Sequence, residues 1–140
     1  GYNYRLSNVS AGIGCGQMDV LQEHVELRRA IHDFYTKELA EIDGLSVQQN
    51  PSADFNSNFW LSTVIIDPKT GKDPESLRQF MLDAGVETMH MQPVFADAPY
   101  YGGTTCETLF DRGLCLPSGS GLKEEELRYV ADKIKEFFNK

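Results

Sequence analysis

The sequence predicts an α/β (α+β) domain in which one long N-terminal helix precedes short strands and amphipathic helices. Three patterns indicate this class. Apolar residues recur at three-, four- and seven-residue steps across residues 9–39. β-branched and aromatic residues cluster across residues 59–67, and the later segments 73–85 and 123–138 carry apolar side chains on one helical face. A chain of 140 residues is long enough for one hydrophobic core and short for two, so we expect a single domain.

The first predicted element is one long helix over residues 8–39, with Ser7 or Asn8 as its N-cap. At 1.5 Å per residue it would extend on the order of 45 Å, which is more than a domain of this size can cover. We therefore expect something else to pack against part of this helix.

Three glycines interrupt the start of the long helix. Gly12, Gly14 and Gly16 lack the G-x-G-x-x-G spacing of a phosphate loop and follow no predicted strand. Each glycine costs roughly 1 kcal/mol relative to alanine inside a helix. We interpret them as a place where another backbone packs closely.

A small α/β domain is expected to follow the connecting helix. In this organisation residues 1–43 form the lead-in segment and long helix, and residues 44–140 form the domain proper. Gly44 and Pro51 end the helix, and residues 48–57, rich in Asn, Ser and Gln, are typical of a loop.

The strand signal at residues 59–67 ends in the turn 67–71, which contains Pro68 and Gly71. The next helix is predicted from Asp73 or its neighbour as N-cap and from Pro74 at its first position, and it ends at Gly85.

The remaining elements follow from shorter patterns. They are a second strand at 86–91, a long loop at 93–103, a helical turn at 104–111, a third strand at 113–117 and an acidic-fronted helix at 123–138.

Composition and charge exclude several classes of partner. The formal charge of −8 gives no general attraction to nucleic acid or to anionic lipid. No apolar run approaches the roughly 20 residues that span a bilayer, and no signal-peptide pattern opens the chain. The cysteines Cys15, Cys106 and Cys115 are odd in number and far apart, so we expect three reduced, partly buried thiols and a cytoplasmic protein. No paired ligand motif predicts a metal.

Two short stretches concentrate hydrogen-bonding chemistry. In residues 1–5, Asn3 and Arg5 suit the oxygens of a phosphate or carboxylate, although these residues alone favour the simpler interpretation that Asn3 bonds to the local backbone. In residues 89–93, His90 is either a functional group or an ordinary hydrogen-bonded histidine at a strand end. The lysines lie on polar helix faces, in a turn or at the terminus, so no catalytic lysine is expected.

These two stretches also carry a resemblance to a known family. The matching residues, in order, are Gly1-Tyr2-Asn3-Tyr4-Arg5-Leu6-Ser7-Asn8, Ala11-Gly12-Ile13-Gly14, Gln17-Met18, Arg28-Arg29, His90-Met91-Gln92-Pro93-Val94-Phe95, Pro99-Tyr100-Tyr101-Gly102-Gly103, Glu107-Thr108-Leu109-Phe110 and Gly113-Leu114-Cys115-Leu116-Pro117-Ser118-Gly119. Over essentially its whole length the chain resembles the DegT/StrS family of sugar-nucleotide aminotransferases.

The resemblance implies the C-terminal small domain of a fold-type I pyridoxal phosphate (PLP) transferase, with a small, mainly antiparallel sheet and helices packed on it. It implies that the full-length parent moves an amino group from an amino acid, glutamate, to a nucleotide-linked keto-sugar in surface polysaccharide or glycan biosynthesis. The larger PLP-binding domain and its Schiff-base lysine are expected upstream of Gly1, so the fragment alone is expected to be inactive.

The resemblance also implies roles for three residues in a homodimer. Asn3 would reach the cofactor phosphate of the partner subunit, Arg5 would face the phosphates of the nucleotide sugar or of the cofactor, and His90 would lie near the sugar. No catalytic residue and no metal ligand is assigned to this chain.

The chain departs from the family pattern at one position. Related sequences usually carry an Arg-Pro-x-Trp-Lys-Pro-like stretch between the positions of Thr88 and Met89, which are adjacent here. Either the chain lost a substrate loop or the sequence closes over one, and our hypothesis is the second. A Cα separation of about 3.8 Å between these residues would refute it.

Two other functions stay open at this stage. One is an independently folded binding or dimerisation module with the glycine-bearing helix as its interface. The other is a relative of the family that acts as a regulator or a dehydratase because the lysine is replaced.

Overall fold

The computed structural model describes residues 5–88 and 103–139. In chain order the elements are α1 (Asn8–Asp19), α2 (Leu21–Glu38), β1 (Leu45–Val47), β2 (Ser62–Ile66), a 3-10 helix (Pro68–Thr70), α3 (Pro74–Asp83), α4 (Thr105–Arg112), β3 (Gly113–Leu116) and α5 (Glu124–Phe138). The predicted α/β (α+β) class is confirmed, as is the small antiparallel sheet with helices packed on it.

The predicted long helix is two helices, because the backbone leaves the helical conformation at Val20 (φ −112°, ψ 3°). The Ser7 side chain caps α1 by accepting the backbone N–H of Ser10 at 3.1 Å. No residue of α1 is buried, whereas α2 contributes Ile31 and Tyr35 to the core. Three- and four-residue apolar spacings continue across a one-residue bend, so the pattern could not reveal the break.

The sheet has the order β1-β2-β3, and both pairs are antiparallel. Val64 of β2 lies opposite Val47 of β1 and Leu114 of β3. Ser62, Val64 and Ile66 are buried and the residues between them are half-buried, as the two-residue strand period requires. The sequence did not predict β1, because three residues are too few to show that alternation.

Helices α2, α3 and α5 enclose the hydrophobic core against the sheet. Burial of each large apolar side chain there contributes about 1.5–3 kcal/mol relative to exposure. Tyr35 is fully buried and donates its hydroxyl proton to the Pro117 carbonyl at 2.9 Å. Burial raises the pKa of the Tyr35 phenol, so the group stays protonated and keeps that bond.

The ends of α3 agree with their sequence signals. Asp73 accepts the backbone N–H of Ser76 at 2.9 Å, Pro74 is the first helical residue, and Gly85 follows the helix in the left-handed conformation (φ 77°). The closing helix α5 begins where the Lys123 N–H donates to the Glu126 carboxylate at 2.8 Å. The short helix and third strand are likewise confirmed as α4 and β3.

Three expectations are corrected or left untested. Within the predicted strand 86–91, residues 86–88 are irregular, and the rest lies outside the described residues, as does most of the loop 93–103. Cys15 and Cys106 are exposed rather than partly buried. The division between residues 43 and 44 stays a prediction, and α2 joins the common core across it.

In the described part of the chain, no helix combines the length and the apolar character that crossing a membrane requires.

Candidate functional site

Of the three predicted site residues, only Arg5 lies in the described part of the chain. Asn3 and His90 fall outside it, so the structure does not test whether the three come together. Arg5 is exposed and lies two residues before Ser7, the N-cap of α1. The first N–H groups of a helix carry a partial positive charge. A guanidinium beside a helix start is a set of donors that suits the oxygens of a phosphate or carboxylate.

A second cluster, which the sequence analysis did not assign, ties α2 to the loop before β2. Arg29 donates through Nε to the Ser57 carbonyl at 3.0 Å and through Nη2 to the Asn56 Oδ1 at 2.8 Å. Arg28 donates through Nη1 to the carbonyl of Trp60 and, at 3.2 Å, to that of Ser118. We call these two arginines the arginine clamp.

His32 holds the same loop from one helical turn further along α2. The residue is 1% exposed, and Nε2 lies 3.0 Å from the Gln48 carbonyl oxygen, so Nε2 carries the proton. The imidazole stacks on Phe59 with a 3.7 Å centroid separation and a 13° interplanar angle. Phe59 has a φ of 45°, in the left-handed region that an aromatic residue rarely adopts. The loop is thus fixed in a strained conformation by contacts with α2.

The clamped loop presents Trp60, which is 66% exposed. Beside it is a concave surface of about 460 Å³ at the junction of α1 and α2. Met18 and Leu21 supply apolar lining, and His24, which lies 2.6 Å through Nδ1 from the Ser120 hydroxyl, supplies polar lining. The arrangement can bind an apolar or aromatic group, but it contains no nucleophile with an adjacent base.

Several described lysines are committed to structural contacts. Lys72 donates to the Phe137 carbonyl at 2.7 Å, and Lys135 pairs with Glu38 at 2.8 Å. Lys133 pairs with Glu136 at 2.8 Å, and this carboxylate raises the pKa of the Lys133 ammonium. A nucleophilic lysine needs a lowered pKa, so Lys133 is unsuited to covalent catalysis, and the amines of Lys72 and Lys135 are occupied by their structural contacts. Among residues 5–88 and 103–139, no group of three His, Cys, Asp or Glu side chains could hold a metal ion.

The arginine clamp could have been suspected from spacing. His32 follows Arg28 by four residues and Arg29 by three, so all three side chains lie near one side of the helix. The helix precedes a loop that is rich in Asn and Ser. Which carbonyls they bind depends on how the loop closes over α2, and local spacing does not encode that.

Comparison with known proteins gives a family match over nearly the whole chain. The DegT/DnrJ/EryC1/StrS aminotransferase family matches residues 1–135. EpsN of Bacillus subtilis (strain 168), named as a pyridoxal phosphate-dependent aminotransferase, is 38% identical over 149 aligned positions, which cover 99% of this chain and 38% of EpsN.

GDP-perosamine synthase of Escherichia coli O157:H7 is 30% identical over 99% of this chain and 38% of its own length. The crystal structure of DesI, determined in the presence of its TDP-sugar product, superposes with a TM-score of 0.87 at 24% identity and covers 100% of this chain and 38% of DesI. The chain thus spans well under half of the length of these relatives, and the shared fold is that of the C-terminal part.

Proposed function

Since this chain belongs to the DegT/DnrJ/EryC1/StrS aminotransferase family, we propose that it is the C-terminal domain of a PLP-dependent enzyme that transfers an amino group to a nucleotide-linked keto-sugar. The observation that carries the proposal is the family match across residues 1–135. The names of EpsN and of GDP-perosamine synthase support the same chemistry.

In this proposal the chain supplies phosphate-binding groups and not the reacting amine. When bound, PLP supplies the electron sink for transamination. Asn3 donates its side-chain amide to the cofactor phosphate in the partner subunit, and Arg5 binds the phosphates of the nucleotide sugar or of the cofactor. The exposure of Arg5 at the start of α1 supports its role. His90 lies beside the sugar.

The finer features of the proposal follow from the same family membership. The amino donor is glutamate, the enzyme is a homodimer, and its product enters surface polysaccharide or glycan biosynthesis. The fragment alone is inactive, because the lysine that binds PLP lies in the preceding domain. The free cysteines fit a reducing compartment, and we place the enzyme in the cytoplasm.

The proposed loop between Thr88 and Met89 has independent support. The alignment with EpsN is 149 positions long, whereas the chain has 140 residues, so this chain lacks a residue at nine or more aligned positions. We propose that these positions include the substrate loop, whose place in the family pattern is between these two residues.

The test is spectroscopic and uses the full-length protein. The purified protein is mixed with glutamate, and the absorption band of bound PLP is recorded before and after mixing. We expect the band to shift as the amino group moves to the cofactor, and addition of a nucleotide keto-sugar should then restore it. No shift with glutamate or any other amino acid would refute transamination and favour a regulator or a dehydratase.

A non-catalytic binding or dimerisation module is the competing proposal, favoured by the exposure of α1. The two proposals predict different coding sequences upstream of Gly1 in the gene. An upstream reading frame that encodes a lysine-bearing cofactor domain supports the enzyme, and a start codon at or just before Gly1 supports the module.

A further inference from the structure

The turn between α2 and β1 places an aspartate directly before a glycine. Asp43 and Gly44 are the last two residues of this turn, and they form the one Asp–Gly pair in the sequence. In such a pair the side-chain carboxyl can react with the backbone nitrogen of the next residue, because glycine has no side chain that hinders the approach. Whether the reaction takes place in a folded protein depends on what holds the carboxyl and the nitrogen.

The fold requires glycine at position 44 for two reasons. Gly44 has a φ of 74°, in the left-handed region that favours glycine. A Cβ atom built at this position would also overlap Cγ2 of Thr70. The Thr70 side chain is itself fixed, because its hydroxyl donates to the Asp67 carbonyl at 2.7 Å. The residue that makes Asp43 reactive therefore cannot be exchanged without disturbing the turn.

The fold leaves both reacting groups of this pair free. Asp43 is exposed, and its carboxylate has no hydrogen-bond or ion-pair partner among residues 5–88 and 103–139. The Gly44 carbonyl accepts the Asp67 N–H at 2.7 Å, but the Gly44 N–H donates to no acceptor in the same residues. Neither the carboxyl nor the nitrogen has to break a described bond before the two meet.

A second exposed aspartate, at the end of α3, is held in the opposite way. The Asp83 carboxylate accepts the side-chain amide of Gln79 at 2.8 Å. The N–H of the next residue, Ala84, donates to the carbonyls of Phe80 at 3.2 Å and Met81 at 3.1 Å. Here the nitrogen is engaged in helix-type hydrogen bonds, so the fold protects this aspartate.

We propose that Asp43–Gly44 is a site of spontaneous isoaspartate formation in the native protein. The Gly44 nitrogen attacks Cγ of the protonated Asp43 carboxyl, and the new C–N bond closes a succinimide ring as the amide proton and the carboxyl hydroxyl leave as one water molecule. Water then opens the ring. Addition at the side-chain carbonyl restores aspartate, and addition at the backbone carbonyl gives isoaspartate, in which the main chain runs through the former side chain.

The product has a chemistry and a geometry of its own. Isoaspartate at position 43 carries a free α-carboxylate, which is the group esterified by isoaspartyl methyltransferases that use S-adenosylmethionine. The backbone of the turn also gains one methylene group, which moves the Gly44 carbonyl relative to the Asp67 N–H that it accepts. We therefore expect the modified protein to be a substrate for this class of methyltransferase and to exchange the Asp67 amide hydrogen faster.

The test compares the native full-length protein with two synthetic peptides, of residues 38–48 and 79–88, incubated at neutral pH. Isoaspartate is quantified by enzymatic transfer of a labelled methyl group from S-adenosylmethionine. It is located by digestion with an endoprotease that cuts before aspartate but not before isoaspartate. In the native protein we expect Asp43 to convert within about threefold of its peptide rate, and Asp83 at least about tenfold more slowly than its peptide, because Ala84 needs local opening first.

The matched variant is Asp43→Glu, which keeps the negative charge but would have to close a larger and less favourable ring. We expect it to lose the methyl incorporation at this position. Its urea midpoint should stay that of the parent, because the Asp43 carboxylate has no partner in the described part of the chain.

Two results would overturn the proposal. One is suppression of the reaction at Asp43 in the native protein as strong as that at Asp83, each relative to its own peptide. The other is methyl incorporation that is unchanged in Asp43→Glu. Neither measurement depends on PLP or on transamination, so the inference and the proposed function can fail separately.

Discussion

At the scale of single residues, His32 occupies a buried, packed position of the kind that an apolar side chain usually fills. It is buried, binds the Gln48 carbonyl and stacks on Phe59, so it joins α2 to both ends of the loop before β2. Among the described residues its Nδ1 has no hydrogen-bond partner, and the nearest carboxylate oxygen, of Asp33, is 3.7 Å away. The side chain therefore contributes through Nε2, which lies 3.0 Å from the Gln48 carbonyl oxygen and 3.5 Å from the Gln49 amide nitrogen, and through packing.

We expect His32→Ala to lower the free energy of unfolding by about 2–4 kcal/mol, because it removes a buried ring and leaves a carbonyl unpaired. His24→Ala is the control, since His24 is exposed on the same helix and bonds to one hydroxyl. Urea unfolding followed by circular dichroism gives both values. A loss for His32→Ala no larger than that for the control would contradict the structural role.

Arg5 is the described residue on which the proposed function can be tested. In the full-length enzyme we expect Arg5→Ala to lower kcat/KM for the nucleotide sugar about 10- to 100-fold, because a charge-assisted contact with phosphate is lost. Arg112→Ala, which removes an exposed guanidinium at the end of α4, is the control. Steady-state kinetics that are unchanged by Arg5→Ala would remove Arg5 from the site.

At the scale of elements, contacts between helices and loops were the least predictable part of the fold. The caps of α1 and α3 followed from Ser7, Asp73 and Pro74, because capping chemistry is local. The bend at Val20 and the short strand β1 did not, because each depends on what the neighbouring segments pack against. The arginine clamp was missed for the same reason, and Asn3 and His90 remain predictions.

The arginine clamp predicts a local effect. We expect Arg29→Lys to speed amide hydrogen exchange in residues 56–60, because the single nitrogen of lysine lacks the planar fork by which Nε and Nη2 reach two separate acceptors. Exchange in β2 should stay slow. Hydrogen exchange with mass spectrometry measures both segments, and equal exchange of the loop in the parent and variant would show that the clamp is dispensable.

The pair of Glu38 and Lys135 joins α2 to α5 and predicts a pH dependence. The hydrogen bond and charge of Lys135 lower the pKa of Glu38 below its ordinary 4.5. A lowered folded-state pKa means that the stabilisation is complete above the unfolded pKa and is lost as pH falls through the folded one. We expect Glu38→Gln to be less stable than the parent at neutral pH, with the difference shrinking as the pH falls below 4.5 and vanishing below the folded-state pKa of Glu38. Urea unfolding at several pH values tests this, and a difference independent of pH would contradict it.

At the scale of the whole molecule, the described chain is a core with one unpartnered helix. The core is complete without α1, since every buried apolar residue of the described chain lies in or after α2. The sequence predicted this separation through the length of the helix and its glycines, although it placed both helices in one element. No residue of α1 is buried by the described residues, so no pattern within the chain could show what would cover this helix.

The proposed loop at Thr88 makes a prediction for the intact protein. Trypsin should release one peptide from Gln79 to Arg112, because no Lys or Arg lies between them in this sequence. We expect its measured mass to exceed that of the printed residues by the mass of the missing loop, since trypsin does not cut before proline. A mass equal to that of residues 79–112 would show that Thr88 and Met89 are directly bonded.

The bend at Val20 separates α1 from the part of the described chain that forms the core. Residues beyond it hold all of the described interior, and those before it hold none. Cutting the chain at Val20 would leave the core intact and would remove the exposed apolar helix α1. We therefore expect a fragment that begins after Val20 to keep its core, and a fragment that retains α1 to self-associate through the exposed side chains of Val9, Ile13 and Met18.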